Sequence, residues 1–157
     1  MPRTASIVAG LVALLNCAVP ALADGRSLLM GTWTIDLTSL SIPSPPRSVT
    51  IAFADAAGGY KMTVDIVDHD GSRRHGETTF KADGTPSSAE GNADYDVVSM
   101  TMPSRGILVM GGAFKGHPGN TRVWSLSDDG MHMIETVVSH DPDGTPHTRV
   151  DVWDRAR

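Results

Sequence analysis

The sequence predicts an all-β protein: one antiparallel up-and-down barrel of about eight or nine strands, behind a short apolar leader. Three observations carry this. From Leu28 onward, short segments alternate apolar and polar residues with period two. Gly, Pro and Asp-Gly clusters punctuate them at close intervals. Beyond the leader no segment has the 3.6-residue period of an amphipathic helix. Nearly every connection is short enough for a hairpin, so neighbours in sequence are expected to be neighbours in the sheet. Closure is the simplest way for such a meander to hide its edges, whereas a β-sandwich would more often show longer Greek-key connections.

Residues 1–23 read as a signal peptide. Arg3 supplies the positive start, Ile7 to Leu15 the apolar stretch, and Ala21-Leu22-Ala23 the small-x-small cleavage pattern. The apolar run is too short for a membrane span. Asn16 precedes Cys17, where a lipoprotein signal wants a small residue, so Cys17 is expected to leave with the leader. Cys17 is the one cysteine of the chain. An exported domain without a disulfide suits a bacterial periplasm or a secreted protein of that origin. Residues 24–157 then form one domain, long enough for a core without staples.

The leader carries only Arg3, so its removal takes the formal charge from −5 to −6. A mildly acidic, unclustered balance argues against nucleic acid and against an anionic membrane surface, and no stable membrane insertion is expected once the leader is cleaved. A monomer or weak oligomer is expected.

The elements follow in order. Thr32 to Leu37 puts Trp33, Ile35 and Leu37 on one face. Ser39 to Ser48 holds Pro43, Pro45 and Pro46, which donate no ladder hydrogen bonds, so it is an extended crossing loop. Val49, Ile51 and Phe53 mark the next strand, Gly58-Gly59 a turn, and Met62, Val64 and Ile66 the inner face of the strand after it. Asp70-Gly71 predicts a hairpin whose return strand is Arg73 to Lys81. Asp83-Gly84-Thr85-Pro86 reads as a turn and Ser87 to Asn92 as a polar loop. Strands are expected over Tyr95 to Met102 and Ile107 to Phe114, with a turn at His117 to Asn120. Thr121 to Leu126, Met131 to Ser139 and Thr148 to Asp154 complete the set. The Asp-Gly-Thr-Pro at 83–86 and 143–146 reflects hairpin spacing, because no repeat-wide core pattern accompanies it.

Gly31-Thr32-Trp33, the proline-rich crossing, and Thr121-Arg122-Val123 followed by Asp129-Gly130 together resemble a bacterial family of exported lipocalin-like proteins. The likeness runs from Met30 to Trp153. It implies that Trp33 enters the closed end of the barrel and that a late-strand cation stacks over it. Arg122 is the position matched to this role, with Arg149 its competitor. The pair would form a structural floor by cation–π contact and hydrogen bonding. The chain departs from the family over Thr38 to Ile42, where a Lys and an aromatic are expected, so nothing about a ligand entrance is carried over.

The favoured expectation is a small-molecule-binding protein that holds an apolar or amphipathic ligand in the barrel, lined by Phe53, Met62, Val64, Met100, Met110 and Trp124. Met62, Met100, Met102 and Met110, with Met131 and Met133 nearby, also suit ordinary core filling. A Cu(I) site aided by His132 is a third reading, but no Met-x-x-Met cluster concentrates ligands and no cofactor or metal is implied.

The competing class is a small barrel enzyme of isomerase or cyclase type. His75 and Glu77 would be its acid–base pair and Tyr95 a proton donor, provided that their face of the Arg73 to Lys81 strand points inward. If Phe80 points inward instead, His75 and Glu77 are surface residues. A third class is a filled barrel that acts through its surface. Histidines 69, 117, 140 and 147 border turns and are expected in solvent. Asp68-His69-Asp70-Gly71 hints at a calcium loop, but Ser72-Arg73-Arg74 follows in place of further acids. No Gly-x-Ser-x-Gly elbow and no phosphate-cradling loop occur. Gly111-Gly112, inside a strand, reads as a bulge or bend that also leaves room for a ligand.

Overall fold

A computed structural model describes residues 27–92, 94–141 and 143–157. The leader and Cys17 lie outside the described residues. Ten antiparallel strands form one nearly closed barrel. They are β1 (Gly31–Ile35), β2 (Ser48–Ala56), β3 (Gly59–Val67), β4 (Arg73–Phe80), β5 (Asp83–Ser88), β6 (Val97–Ser104), β7 (Ile107–Phe114), β8 (His117–Leu126), β9 (His132–His140) and β10 (Pro146–Arg155). Their order in the sheet is β4-β3-β2-β1-β10-β9-β8-β7-β6-β5, so β1 joins the first half to the last strand. The seam lies between β4 and β5. An isolated bridge there pairs Glu77 with Glu90 through both backbone N–H groups, at 2.9 and 2.8 Å. Beside it Thr78 Oγ1 donates to the Ser88 carbonyl at 2.7 Å.

Three local readings are corrected. Asp83 to Ser88 is an edge strand, not a turn and loop; Gly84 takes φ +87° and the register shifts between Asp83 and Pro86. A proline is tolerated there because an edge strand needs ladder bonds on one side only. The turn before β8 is Lys115-Gly116, both with positive φ as a two-residue hairpin requires. His117 to Asn120 therefore extends β8, with His117 opposite Phe114. Finally, β1 stops at Ile35. Asp36 caps a 3-10 turn (Leu37–Ser39) by accepting from Thr38 N at 2.9 Å, which leaves Leu37 half out in solvent.

The inner face follows the expected alternation. Trp33, Ile35, Ile51, Phe53, Met62, Phe80, Met100, Leu108, Met110, Trp124, Met133 and Trp153 are all buried. At the end of the barrel where β1 begins and β10 ends, Trp33 closes the core. Trp33 is fully buried, with its Nε1 donating to Leu29 O at 2.9 Å. Phe53 meets Trp124 edge to face, ring centres 6.0 Å apart.

The cation over Trp33 is Arg155, 4.1 Å from the ring centre, and not Arg122 or Arg149. Register explains the correction. Arg155 is the direct cross-strand partner of Trp33. Arg122 pairs with Val137, which pairs with Arg149 on β10. That level is six residues from Arg155, roughly 20 Å along a strand at ~3.3 Å per residue.

Candidate functional site: a cavity in the upper barrel

The upper half is hollow. A cavity of about 240 Å³ opens at the end opposite Trp33. At ~30 Å³ per water, that is about eight waters, well beyond a packing defect. One wall is apolar and comes from the period-two faces of β1 to β3: Ile35, Val49, Ile51, Met62, Val64 and Ile66. The crossing between β1 and β2 adds Leu40, Ile42 and Pro46 at the mouth. It is anchored to β10, where Val152 N donates to Ser39 Oγ at 3.0 Å and Asp36 N to Val152 O at 2.8 Å.

The opposite wall is polar. Arg122 on β8, Glu135 on β9 and Arg149 on β10 all belong to inner faces, and Trp124, Trp153 and Tyr95 stand among them. Glu135 and Asp151 are directly opposite each other on adjacent strands, and both are fully buried. Two carboxylates so placed repel and cost several kcal/mol each to desolvate, so each needs a cation. Arg122 Nη1 donates to Glu135 Oε1 at 2.7 Å. Arg149 Nε donates to both Asp151 oxygens at 2.9 Å, and its Nη2 lies 2.9 Å from Oδ2.

The remaining bonds knit the wall together. Trp153 Nε1 donates to Glu135 Oε2 at 3.0 Å. Asn120 Oδ1 accepts from both Arg122 Nε and Tyr95 OH at 3.2 Å. Burial works against the Arg122 charge, but the Glu135 carboxylate and Tyr95 outweigh it, so its pKa is raised above the ordinary arginine value. Arg122 stays a cation at any working pH.

Tyr95 owes its place to glycine. A Cβ on Gly112 would lie 2.4 Å from the Tyr95 ring, so the ring occupies the room that a side chain would need. The register shifts between Gly111 and Ala113, as the expected bulge requires. The space belongs to Tyr95 and not to a ligand.

Of the expected lining residues, Met62, Val64, Met110 and Trp124 reach the cavity. Phe53 and Met100 are buried and do not line it, although their cross-strand partners Met62 and Met110 do. Arg122, matched to the floor, is a wall residue of the cavity. The missed residues are Glu135, Arg149, Asp151 and Trp153. Their signal was a charge on the apolar parity of a strand, as in Met133-x-Glu135-x-Val137 and Arg149-x-Asp151-x-Trp153.

The acid–base pair proposed for an enzyme does not face the lumen. Phe80 and Thr78 point inward, while His75 is exposed and Glu77 half-buried on the other face. His75 Nδ1 meets Asp65 Oδ1 at 2.7 Å, and Lys61 Nζ meets Glu77 at 2.6 Å. Another trio stands at the rim. Ser139 Oγ lies 2.6 Å from His147 Nε2, and His147 Nδ1 is 3.6 Å from Asp141 Oδ1. The second distance is too long for a hydrogen bond, and His147 and Asp141 are half exposed, so water competes for every contact.

Asp68 of the suspected calcium loop is held by Arg74, at 2.7 and 2.8 Å. Among the described residues no three His, Cys, Asp or Glu side chains gather to hold a metal ion. Met131 is exposed, and His132 is turned outward to Asp154 at 2.8 Å, apart from the buried methionines. No family model and no curated protein matches the chain.

Proposed function

We propose that this protein is an exported, lipocalin-like carrier that binds a small amphipathic molecule in the upper cavity of its barrel. The observation that carries the reading is the two-faced cavity itself. Apolar side chains of β1 to β3 confront fixed hydrogen-bond donors of β8 to β10 across about 240 Å³. Burial of an apolar body against the first wall supplies affinity, at ~25 cal/mol per Å² removed from water. A few convergent polar groups on the second wall orient it. The closed floor under Trp33 and Arg155 leaves the cavity mouth as the route in.

The test is native mass spectrometry of the protein purified from the periplasm of an exporting host. The expected result is a chain beginning at Asp24 that carries a small molecule lost on denaturation. Val64→Trp fills the cavity from its apolar wall and should abolish that added mass. Full retention by the variant would overturn the reading.

A further inference from the structure

We infer that the cavity limits its ligand by length: a base built on Met62 and the Phe53–Trp124 contact admits a single-chain amphipath of about eight non-hydrogen atoms and leaves the rest of a longer chain in water. This inference rests on the carrier reading and adds the size class of the ligand.

The base is defined strand by strand. The last inward side chains to reach the cavity are Ile35 on β1, Ile51 on β2, Met62 on β3, Met110 on β7, Trp124 on β8 and Glu135 on β9. One inward step nearer the Trp33 end, Phe53, Leu108 and Met133 are buried and do not line it. The same step recurs on both sides of the barrel, so the cavity ends on a base of side chains.

Phe53 and Trp124 form a bar across that base. Three strands separate β2 from β8 in the sheet, yet the two rings meet edge to face with centres 6.0 Å apart, so the contact crosses the interior. Trp124 turns only carbon toward the cavity, because its Nε1 is buried beyond the reach of solvent and of any ligand there. Met62 is the cross-strand partner of Phe53 and is buried beside it. A ligand chain cannot pass this base without parting the two rings.

The volume sets the scale. About 240 Å³ gives room for about eight groups of ~30 Å³, the share of a water and close to that of a methylene. A sterol or a long-chain lipid exceeds it. Each methylene added to a short chain is buried and tightens binding about fourfold, until the chain rests on the base and further carbons stay at the mouth.

Tryptophan fluorescence titration of the whole exported protein with the 1-alkanols from 1-hexanol to 1-dodecanol tests this, since Trp124 and Trp153 both line the cavity. Affinity should rise about fourfold per methylene to about 1-octanol and change less than about twofold in all beyond it. Met62→Ala removes a thioether chain at the base and should carry the rise about two to three methylenes further. Ile66→Ala, on the same strand nearer the mouth, should weaken binding without moving the length at which the rise stops. A rise that continues to 1-dodecanol in the unaltered protein would overturn the inference, whether or not the variants fold, and would leave the carrier reading standing. A folded Met62→Ala whose limit moves no further than that of Ile66→Ala would do the same. Failure of every alcohol to bind would overturn both.

Discussion

Arg155 and Trp33 close the barrel between its first and last strands. The guanidinium lies 4.1 Å from the indole centre, while Nη1, Nη2 and Nε donate to the carbonyls of Met30, Leu28 and Gly130 at 2.7, 3.0 and 2.7 Å. One side chain thus ties β10 to the segment entering β1 and to the turn before β9. Arg155→Ala should cost about 2–3 kcal/mol in urea denaturation. Arg155→Lys should recover no more than half, since one ammonium cannot meet three diverging carbonyls. A loss below about 0.5 kcal/mol for the alanine variant would show that the floor does not depend on it.

The buried pair of Arg122 and Glu135 is expected to behave as a unit. Glu135→Leu leaves a guanidinium without its carboxylate and Trp153 Nε1 without its acceptor, a loss of about 3–5 kcal/mol. Arg122→Met combined with Glu135→Leu should be markedly more stable than Glu135→Leu alone, because no unmatched charge remains. Additive losses in the double-mutant cycle would contradict the coupling.

Two adjacent glycines provide an internal control. Gly112→Ala drives a methyl group into the Tyr95 ring and should destabilise by about 1–3 kcal/mol. Gly111→Ala meets nothing within 4 Å, and its effect on the melting temperature should be small. Equal effects at both positions would mean that Tyr95 does not occupy the bulge.

His75 should titrate above its ordinary value of 6.5, held up first by its hydrogen bond to Asp65 and then by the charges of Asp65 and Glu77. Because the folded pKa is raised, its contribution to stability is fully present below about pH 6.5 and is lost as pH rises through the folded value. Asp68 has the opposite sign. Arg74 lowers its pKa, so its contribution is present above its ordinary 3.8 and fades as pH falls through the folded value. Side-chain NMR titration should show the His75 midpoint return toward 6.5 in Asp65→Asn, and an unmoved midpoint would refute the pairing.

Much of this architecture is legible along the chain. The inward parity of Trp33, Met62, Phe80 and Trp124 is a local property, because successive side chains of a strand take opposite faces. The edge strand β5 is not legible. Its Asp-Gly-Thr-Pro carries every mark of a turn, and only the seam beside β4 gives it a partner on one side and freedom from one on the other. The burial of Glu135 and Asp151 is half legible: their parity places them inward, but nothing in the order of residues says which guanidinium meets which carboxylate.

The sequence by itself determined the strands, their inner faces and most of their turns, since these depend on residues one to four apart. Only the tertiary structure decided which side chains share a level of the barrel. It put Arg155 over Trp33, carried Arg122 to the cavity and kept Phe53 and Met100 out of its lining. The level of a residue follows from strand register accumulated around a closed sheet, and pairings between residues more than a hundred positions apart set that register.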